Sequence, residues 1–362
     1  MLGATLTGSA TTSLLIGRFG DRVGRRRCYS ILFLLLAVVG VVFAFADSVY
    51  VLTIVGLTGA LSTEVIESGP FTSLEQAMLA TDADVRTRTV RFGRYNAVAA
   101  ASGSFGALAV GLLGYLAAGR QHIVSQHWFL IFVPVAIAGS LVALSLSPRA
   151  ETQTVRGRAA RLEKSRHTVH RLSILFALDS FAGGLTVSVF VGFWLHVRFH
   201  ATTGTIGVLF FLFGVLQTVS FLVAPVLANR FGLLRTMVFT HLPSDLLVVS
   251  VAFAPTLAVA VALLVARTCL SQMDVPTRQT YVMTLVSPEE RTPAAAYTNT
   301  ARYVTRPAGP PLAGILMQTA QGLPFLISGL LKVAYDLTLW NWFRKIPLPS
   351  ETSDSEFGES PD

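Results

Sequence analysis

Charge is what this chain lacks. Only 13% of its 362 residues are Asp, Glu, Lys or Arg, against 52% that are hydrophobic. A soluble domain carries about 25% charged residues, so there is too little ionic surface here to cover a water-soluble enzyme of this size. Cysteine is as scarce: Cys28 and Cys269 are the only two. That excludes a disulfide-stapled module and a cysteine metal cluster. A mean hydropathy of +0.60 is far from the polar composition of a disordered chain. No Walker-type phosphate loop, metalloprotease motif or hydrolase motif occurs. An ATP-driven motor is therefore excluded, no cofactor or metal is expected, and the chain is not expected to be an enzyme.

What the chain has instead is long apolar runs. A membrane-spanning helix needs roughly 20 mostly apolar residues. Such runs follow one another at about 1–17, 28–46, 49–80, 92–118, 127–147, 171–198, 203–228, 237–254, 256–286, 292–319 and 322–343, eleven in all. They are too long for barrel strands and lack dyad alternation. The expected fold class is an all-α membrane protein.

The formal net charge of +8 sits in alternate loops. Arg18, Arg22, Arg25, Arg26 and Arg27 follow the first run, and Arg86, Arg88, Arg91 and Arg94 follow the third. The longest loop, at 148–170, holds Arg149, Arg156, Arg158, Arg161, Lys164 and Arg166. Arg230 and Arg235, then Arg291, then Arg344 and Lys345 continue the series, while the other loops hold only Arg120 and Arg198. Basic loops remain on the cytoplasmic side of a membrane. The positive charge is thus read as a membrane anchor on a plasma or inner membrane, not as a nucleic-acid surface. The C-terminus is expected inside and the N-terminus outside. Beyond Pro349 the chain is acidic and Ser-rich, which predicts a disordered cytoplasmic tail over 347–362.

The chain also resembles itself. A shift of 203 residues lays Gln76 on Gln279, Arg88 on Arg291, Thr89 on Thr292, Asn96 on Asn299, Gly106 on Gly309 and Gly111 on Gly314. A shift of 208 lays Asp21-Arg22-Val23-Gly24 on Asn229-Arg230-Phe231-Gly232, and Arg27 on Arg235. Parallel repeats of six helices describe a large class of secondary transporters. The stretch Gly17-Arg18-Phe19-Gly20-Asp21-Arg22-Val23-Gly24-Arg25-Arg26 closely resembles the signature loop between helices 2 and 3 of the major facilitator superfamily. Residues 228–235 resemble its degenerate echo between helices 8 and 9.

The resemblance covers nearly the whole chain. It implies a two-lobed bundle, with an N-terminal lobe at 1–147, a central loop at 148–170 and a C-terminal lobe at 171–346. It implies helices 2 to 12 of the family's twelve, because the repeat partner of the run at 171–198 would precede Met1. Either the start lies further upstream, or the chain is a shortened copy that does not transport. The expected function is secondary transport of a small organic solute by alternating access, coupled to protons, with antiport or efflux favoured over symport. The alternative is a non-transporting relative. The expected partners are the solute, the bilayer and protons, with the protein a monomer.

Charges inside a bilayer are expensive and usually functional. On the third run, Glu64 and Glu67 share a helix face with Phe71 before a Gly69-Pro70 break, and Glu75 follows. Carboxylates there are suited to a cation, a polar solute or a proton; the alternative is a polar packing stripe. On the ninth run, Asp274 and Arg278 are spaced to pair along one face, beside Gln272. Asp179 precedes Gly183 and Gly184 on the sixth run. The resemblance turns Glu67, Asp179 and Asp274 toward one cavity. Glu64, Glu67, Phe71, Asp179, Gln272, Asp274 and Arg278 are the candidate substrate or ion residues.

The resemblance makes Asp21, Arg22, Gly24 and Arg26 conformational parts, with Arg230 and Gly232 as their echo. In the family the signature acid answers the positive N-terminus of helix 11. Glu75 and Arg278 are repeat equivalents of opposite charge, which suggests an inner gate. Lys332 and Asp336 at i,i+4, with Asp245, are expected to neutralise one another. His241 is expected to be a packed polar residue, with a proton relay as the alternative.

Overall fold

The fold is that of a computed structural model, which describes residues 2–60, 71, 85–116, 126–145, 162–286 and 290–346. The first lobe contains α1 (Leu2–Val23), α2 (Arg25–Phe45), α3 (Val49–Gly56), α4 (Val85–Leu116), a 3-10 turn (Gln126–Ile131) and α5 (Phe132–Leu144). The second contains α6 (Arg166–Leu185), α7 (Ser188–Phe199), α8 (Thr203–Phe231), α9 (Leu233–Val251), α10 (Leu257–Ser271) and α11 (Asp274–Leu285). It continues through α12 (Arg291–Thr305), a 3-10 turn (Arg306–Ala308), α13 (Gly309–Thr319) and α14 (Leu323–Phe343). No strand occurs among the described residues.

Seven stretches among them are long and apolar enough to cross a membrane, with α6–α7 and α10–α11 each counting as one. Four of the eleven expected runs fall outside those seven: the run at 1–17 gives only a shorter apolar helix, the run at 49–80 lies largely outside the described residues, and two carry charge or a break. The α9 helix carries Arg235, His241 and Asp245, and the α12–α13 run is interrupted and carries Arg302 and Arg306. Hydropathy also marks helix starts too late. The α4 and α6 helices begin at Val85 and Arg166, where the polar first turns continue the helix beyond the apolar run. Arg166 to His170 of the expected central loop therefore belong to α6.

One residue separates α1 from α2 and one separates α8 from α9. These are Gly24 and Gly232, with φ of 93° and 86°. Residues with a Cβ avoid that region. The two loops that match by sequence thus make the same sharp turn, and each needs its glycine to make it.

The second lobe is layered along the bundle axis. One apolar cluster joins Leu185, Trp194, Val248, Val251, Leu264 and Phe325. A second, at the basic end, joins Leu172, Phe176, Met237, Tyr281, Leu339 and Phe343. The helices α6, α9 and α14 contribute to both clusters, and the residues between those contributions are polar: Asp179 on α6, His241 and Asp245 on α9, and Lys332 on α14. Outside, the lobe presents bare hydrocarbon: Ile174, Leu246, Phe253, Ile315 and Leu330 are each more than half exposed. An apolar exterior around a polar middle layer is the pattern of a helix bundle in lipid.

The lobes meet along two seams. The α4 helix runs against α8 over most of its length, and α1 packs on α12, the second 3-10 turn and α13. Small residues permit the close approach. A methyl added at Gly111 would lie 2.9 Å from the Cα of Gly207, and one at Gly93 would lie 3.1 Å from Cγ of Pro225. Ser104 donates to the Phe211 carbonyl at 2.6 Å, and the Thr89 and Thr280 hydroxyls bond at 2.8 Å. On the other seam, a methyl at Gly3 would sit 3.1 Å from Cγ of Pro311.

Candidate functional site

The polar middle layer of the second lobe is a network of ionised side chains. Asp179, Asp274, Arg278 and Lys332 are each 7% exposed or less. Lys332 donates to Asp179 Oδ1 at 2.7 Å, and Arg278 Nη1 lies 3.4 Å from Asp179 Oδ2. The same nitrogen is 3.4 Å from Asp274, one turn back on α11. The four residues join α6, α11 and α14, and their charges balance, two acids against two bases. An unpaired charge in such a place costs several kcal/mol, and good pairing offsets that cost. The Arg278 guanidinium carbon also sits over the Phe176 ring, 5.6 Å from its centroid.

Local sequence explains why the charges gather at this depth. Three helical runs are interrupted nearby. The α6 helix stops after Gly183-Gly184-Leu185, α10 gives way to α11 at Gln272-Met273, and α12 loosens into the 3-10 turn at Arg306. Gly184 lies so close to Gly309 that a methyl on it would be 3.1 Å from the Gly309 Cα. Asp274 occupies the first turn of α11, where the helix dipole favours an acid. Pro276 sits in that same turn, where its missing N–H leaves no bond unmade. Arg302 stands in the last turn of α12, where a base is favoured. Interrupted helices within a membrane occur where protein or a cavity surrounds them.

One turn beyond Lys332 lies a second polar group. His241 Nδ1 is 3.1 Å from Asp245 Oδ2 and 3.1 Å from Asp336 Oδ2. All three residues are buried, and their ligating atoms lie within 4.8 Å of one another. The sequence pairs Lys332 with Asp336 along α14; in the fold Lys332 crosses to Asp179 and Asp336 turns to His241. The i,i+4 rule found the neighbours on one helix but not the stronger partners on others.

The other candidates divide. Asp179, Asp274 and Arg278 meet as one network. Gln272 is half-buried at the α10–α11 junction. Phe71 packs in the first lobe against Phe33 and Tyr29, with ring centroids 4.8 and 5.9 Å away. Glu64, Glu67 and Glu75 lie outside the described residues. Asp21 and Arg22 lie in the last turn of α1, and their side chains are outside the described set. Arg26 opens α2 and is half-buried. Arg230 is exposed, with its guanidinium 5.4 Å from the neighbouring Phe231 ring.

Glu290 is a residue that sequence reading missed. It precedes α12 and accepts the backbone N–H groups of Glu163, Lys164 and Ser165 at 2.7–2.9 Å. These are the unpaired donors ahead of α6, so one carboxylate caps that helix and ties it to the start of α12. The three donors hold its carboxyl down at about 2. The sign follows directly: a depressed acid stabilises the fold above its unfolded value, and the gain fades as pH falls from about 4.5 toward 2. Glu290→Gln should therefore lower the thermal midpoint at neutral pH. The gap from wild type should narrow below about pH 4.5, checked by unfolding of detergent-solubilised protein across that range. Only the Glu290-Arg291 step before an apolar run hinted at the cap.

Helical lobes with an apolar skin, two close-packed seams and a buried charged layer define a polytopic α-helical membrane protein. Family comparison agrees. The Major Facilitator Superfamily model matches residues 1–310 and 172–361, and the chain belongs to that superfamily. It is a membrane transporter by family, and that family points away from an enzyme. The uncharacterized membrane protein YJR124C of Saccharomyces cerevisiae is 24% identical, across 93% of this chain and 84% of that protein. Among solved structures, the human organic anion transporter MFSD10 (TETRAN) superposes with a TM-score of 0.68 at 18% identity, covering 93% of this chain and 82% of that one. A point mutant of the nucleoside transporter NupG gives 0.62 at 16% identity, covering 95% and 90%. At these identities the two structures speak for the fold alone.

Proposed function

We propose that the protein is a proton-coupled secondary transporter that moves a small organic solute by alternating access, with antiport favoured over symport. The observation that carries this reading is the neutral network of Asp179, Arg278, Asp274 and Lys332 beside three interrupted helices. Such a network is costly to build and can exchange partners when a solute or proton arrives. Asp179, Gln272, Asp274 and Arg278 from the second lobe, and Glu64, Glu67 and Phe71 from the first, are the proposed binding set. The turns at Gly24 and Gly232, with Asp21, Arg22, Arg26 and Arg230, are the proposed conformational parts. Glu75 facing Arg278 is the proposed inner gate. In this reading the lobes are 1–147 and 171–346, joined by 148–170, and the basic helix ends and the tail face the cytoplasm. A solute carrying both a negative group and hydrogen-bonding groups suits a layer with Arg278 and Lys332 beside two carboxylates. The names of the two structural relatives, an organic anion and a nucleoside transporter, set the first substrates to try.

The test is reconstitution of the full chain in liposomes, with an organic anion, a nucleoside and an organic cation as solutes and an imposed proton gradient. Saturable flux of one of them, accelerated by the gradient, is expected. Flux indifferent to the gradient would remove proton coupling. No flux of any solute, in either direction, would favour the non-transporting relative.

A further inference from the structure

The ion pairs of the second lobe leave one group out of balance. Asp179 and Asp274 are matched by Lys332 and Arg278, but Asp245 and Asp336 share a single imidazole nitrogen. Asp245 is 1% exposed and Asp336 is wholly buried. His241 Nδ1 carries at most one hydrogen, and its contacts of 3.1 and 3.3 Å are to the two oxygens of Asp336. Neither oxygen of Asp245 receives a well-aligned hydrogen bond among the described residues, and the one donor in reach, His241 Nδ1 at 3.1 Å, is shared with Asp336. An ionised carboxylate buried without a donor costs several kcal/mol. A carboxylic acid in the same place is neutral and itself donates.

The surroundings supply one cation within reach, Lys332, and it is already engaged. The ionisable groups facing the site are Lys332 and Tyr335 on α14, Asp274 on α11 and Asp179 on α6, with Arg267 of α10 near Lys332. Lys332 acts on Asp245, but its Nζ is bound to Asp179. The Tyr335 hydroxyl has no hydrogen-bond partner among the described residues, and its ring meets His241 edge-on at 6.0 Å. Leu242 and Pro243 follow His241 on α9, and Gly329 of α14 packs against the Asp245 carbonyl, where a methyl would stand 2.9 Å away. The backbones of α9 and α14 are therefore in contact here, which holds the carboxyl groups together.

We propose that His241, Asp245 and Asp336 form a proton-binding site in which one proton is held between the two carboxyl groups. In the loaded state Asp245 is the acid and donates to Asp336, which also accepts from His241 Nδ1–H. When the proton leaves, the site gains a negative charge one turn from Lys332 on the same helix. That charge competes with Asp179 for the ammonium and so loosens the Lys332–Asp179 pair. The proton site and the proposed solute site are joined by this one lysine. The joining rests on the transporter reading above; the bound proton does not.

The test needs no solute. The full chain in lipid nanodiscs is exchanged into D2O, and its infrared spectrum is recorded near neutral pH. The wild type should show the C=O band of a buried carboxylic acid, and Asp245→Asn and Asp336→Asn should each lose it. Asp245→Asn carries its N–H permanently, so it should fold. Its thermal midpoint should stay flat as pH rises, while that of the wild type falls as the proton is lost. If neither variant folds, pH titration of the wild-type band decides: a band that bleaches with rising pH, in step with the falling midpoint, supports the site. No acid band in wild type, with a midpoint indifferent to pH, would overturn it. A midpoint raised by added Zn2+ in wild type but not in Asp245→Asn, with the band absent, would also overturn it in favour of a metal site. A missing band with gradient-driven flux intact removes this site and leaves the transporter reading; a band with gradient-indifferent flux removes only the coupling.

Discussion

Asp179→Ala is expected to abolish solute flux and to destabilise the protein by about 3–5 kcal/mol, the usual loss when one member of a buried ion pair is removed. Among the described residues, its carboxylate is the one group that answers both Lys332, at 2.7 Å, and Arg278, at 3.4 Å. Without it the ammonium is left with no acid as close, inside a layer with apolar clusters on both sides. The double variant Asp179→Asn with Lys332→Met removes both charges of one pair and leaves Arg278 with Asp274, 3.4 Å away. It should regain most of the stability and none of the flux. Thermal unfolding in detergent and flux in liposomes read the two effects separately. Restored flux in the double variant would make the pair purely structural.

Gly207→Leu is the second large effect. The glycine lies directly on Gly111 where α8 crosses α4, so near that any Cβ would overlap Gly111 backbone. At least a tenfold loss of flux is expected. The isobutyl group holds the two helices apart at the ends remote from the basic loops, which blocks closure there. Stability should change much less than flux, because the leucine can face lipid once the seam has opened. Gly106→Leu is the control. It sits on the same helix as Gly111, and nothing lies within 4 Å of an added methyl. It should behave as wild type.

Much of this was legible in the sequence, and what was not has a physical cause. Hydropathy and the alternating basic loops gave the helical class, because lipid leaves the backbone few choices. The repeat marked Gly24 and Gly232 as equivalent, and the fold gives them nearly the same φ. The i,i+4 spacing of Asp274 and Arg278 announced their pair. Spacing could not announce that Lys332 leaves Asp336 for Asp179, since that choice depends on how α6 and α14 cross. It could not show His241 between two carboxylates from two helices either. Glu290 escaped because its partners are backbone N–H groups, which any residues would supply. Hydropathy placed spanning runs at 237–254 and 292–319, where the fold has the charge-bearing α9 and the interrupted α12–α13. Of the polar groups on α9, His241 and Asp245 are buried inside the lobe, while Arg235 is exposed.

The lobes are proposed to rock about the seam of α4 and α8, and interspin distance measures that most directly. Labels on Leu116 and Thr203 report the ends remote from the basic loops, and labels on Arg94 and Phe231 report the basic ends. All four positions are exposed. In wild type, two distances should be populated at each end, the long one at one end accompanying the short one at the other. In Gly207→Leu only the long distance should survive between Leu116 and Thr203. A single distance at both ends of the wild-type protein, unmoved by solute, by pH or by that leucine, would contradict alternating access for this chain.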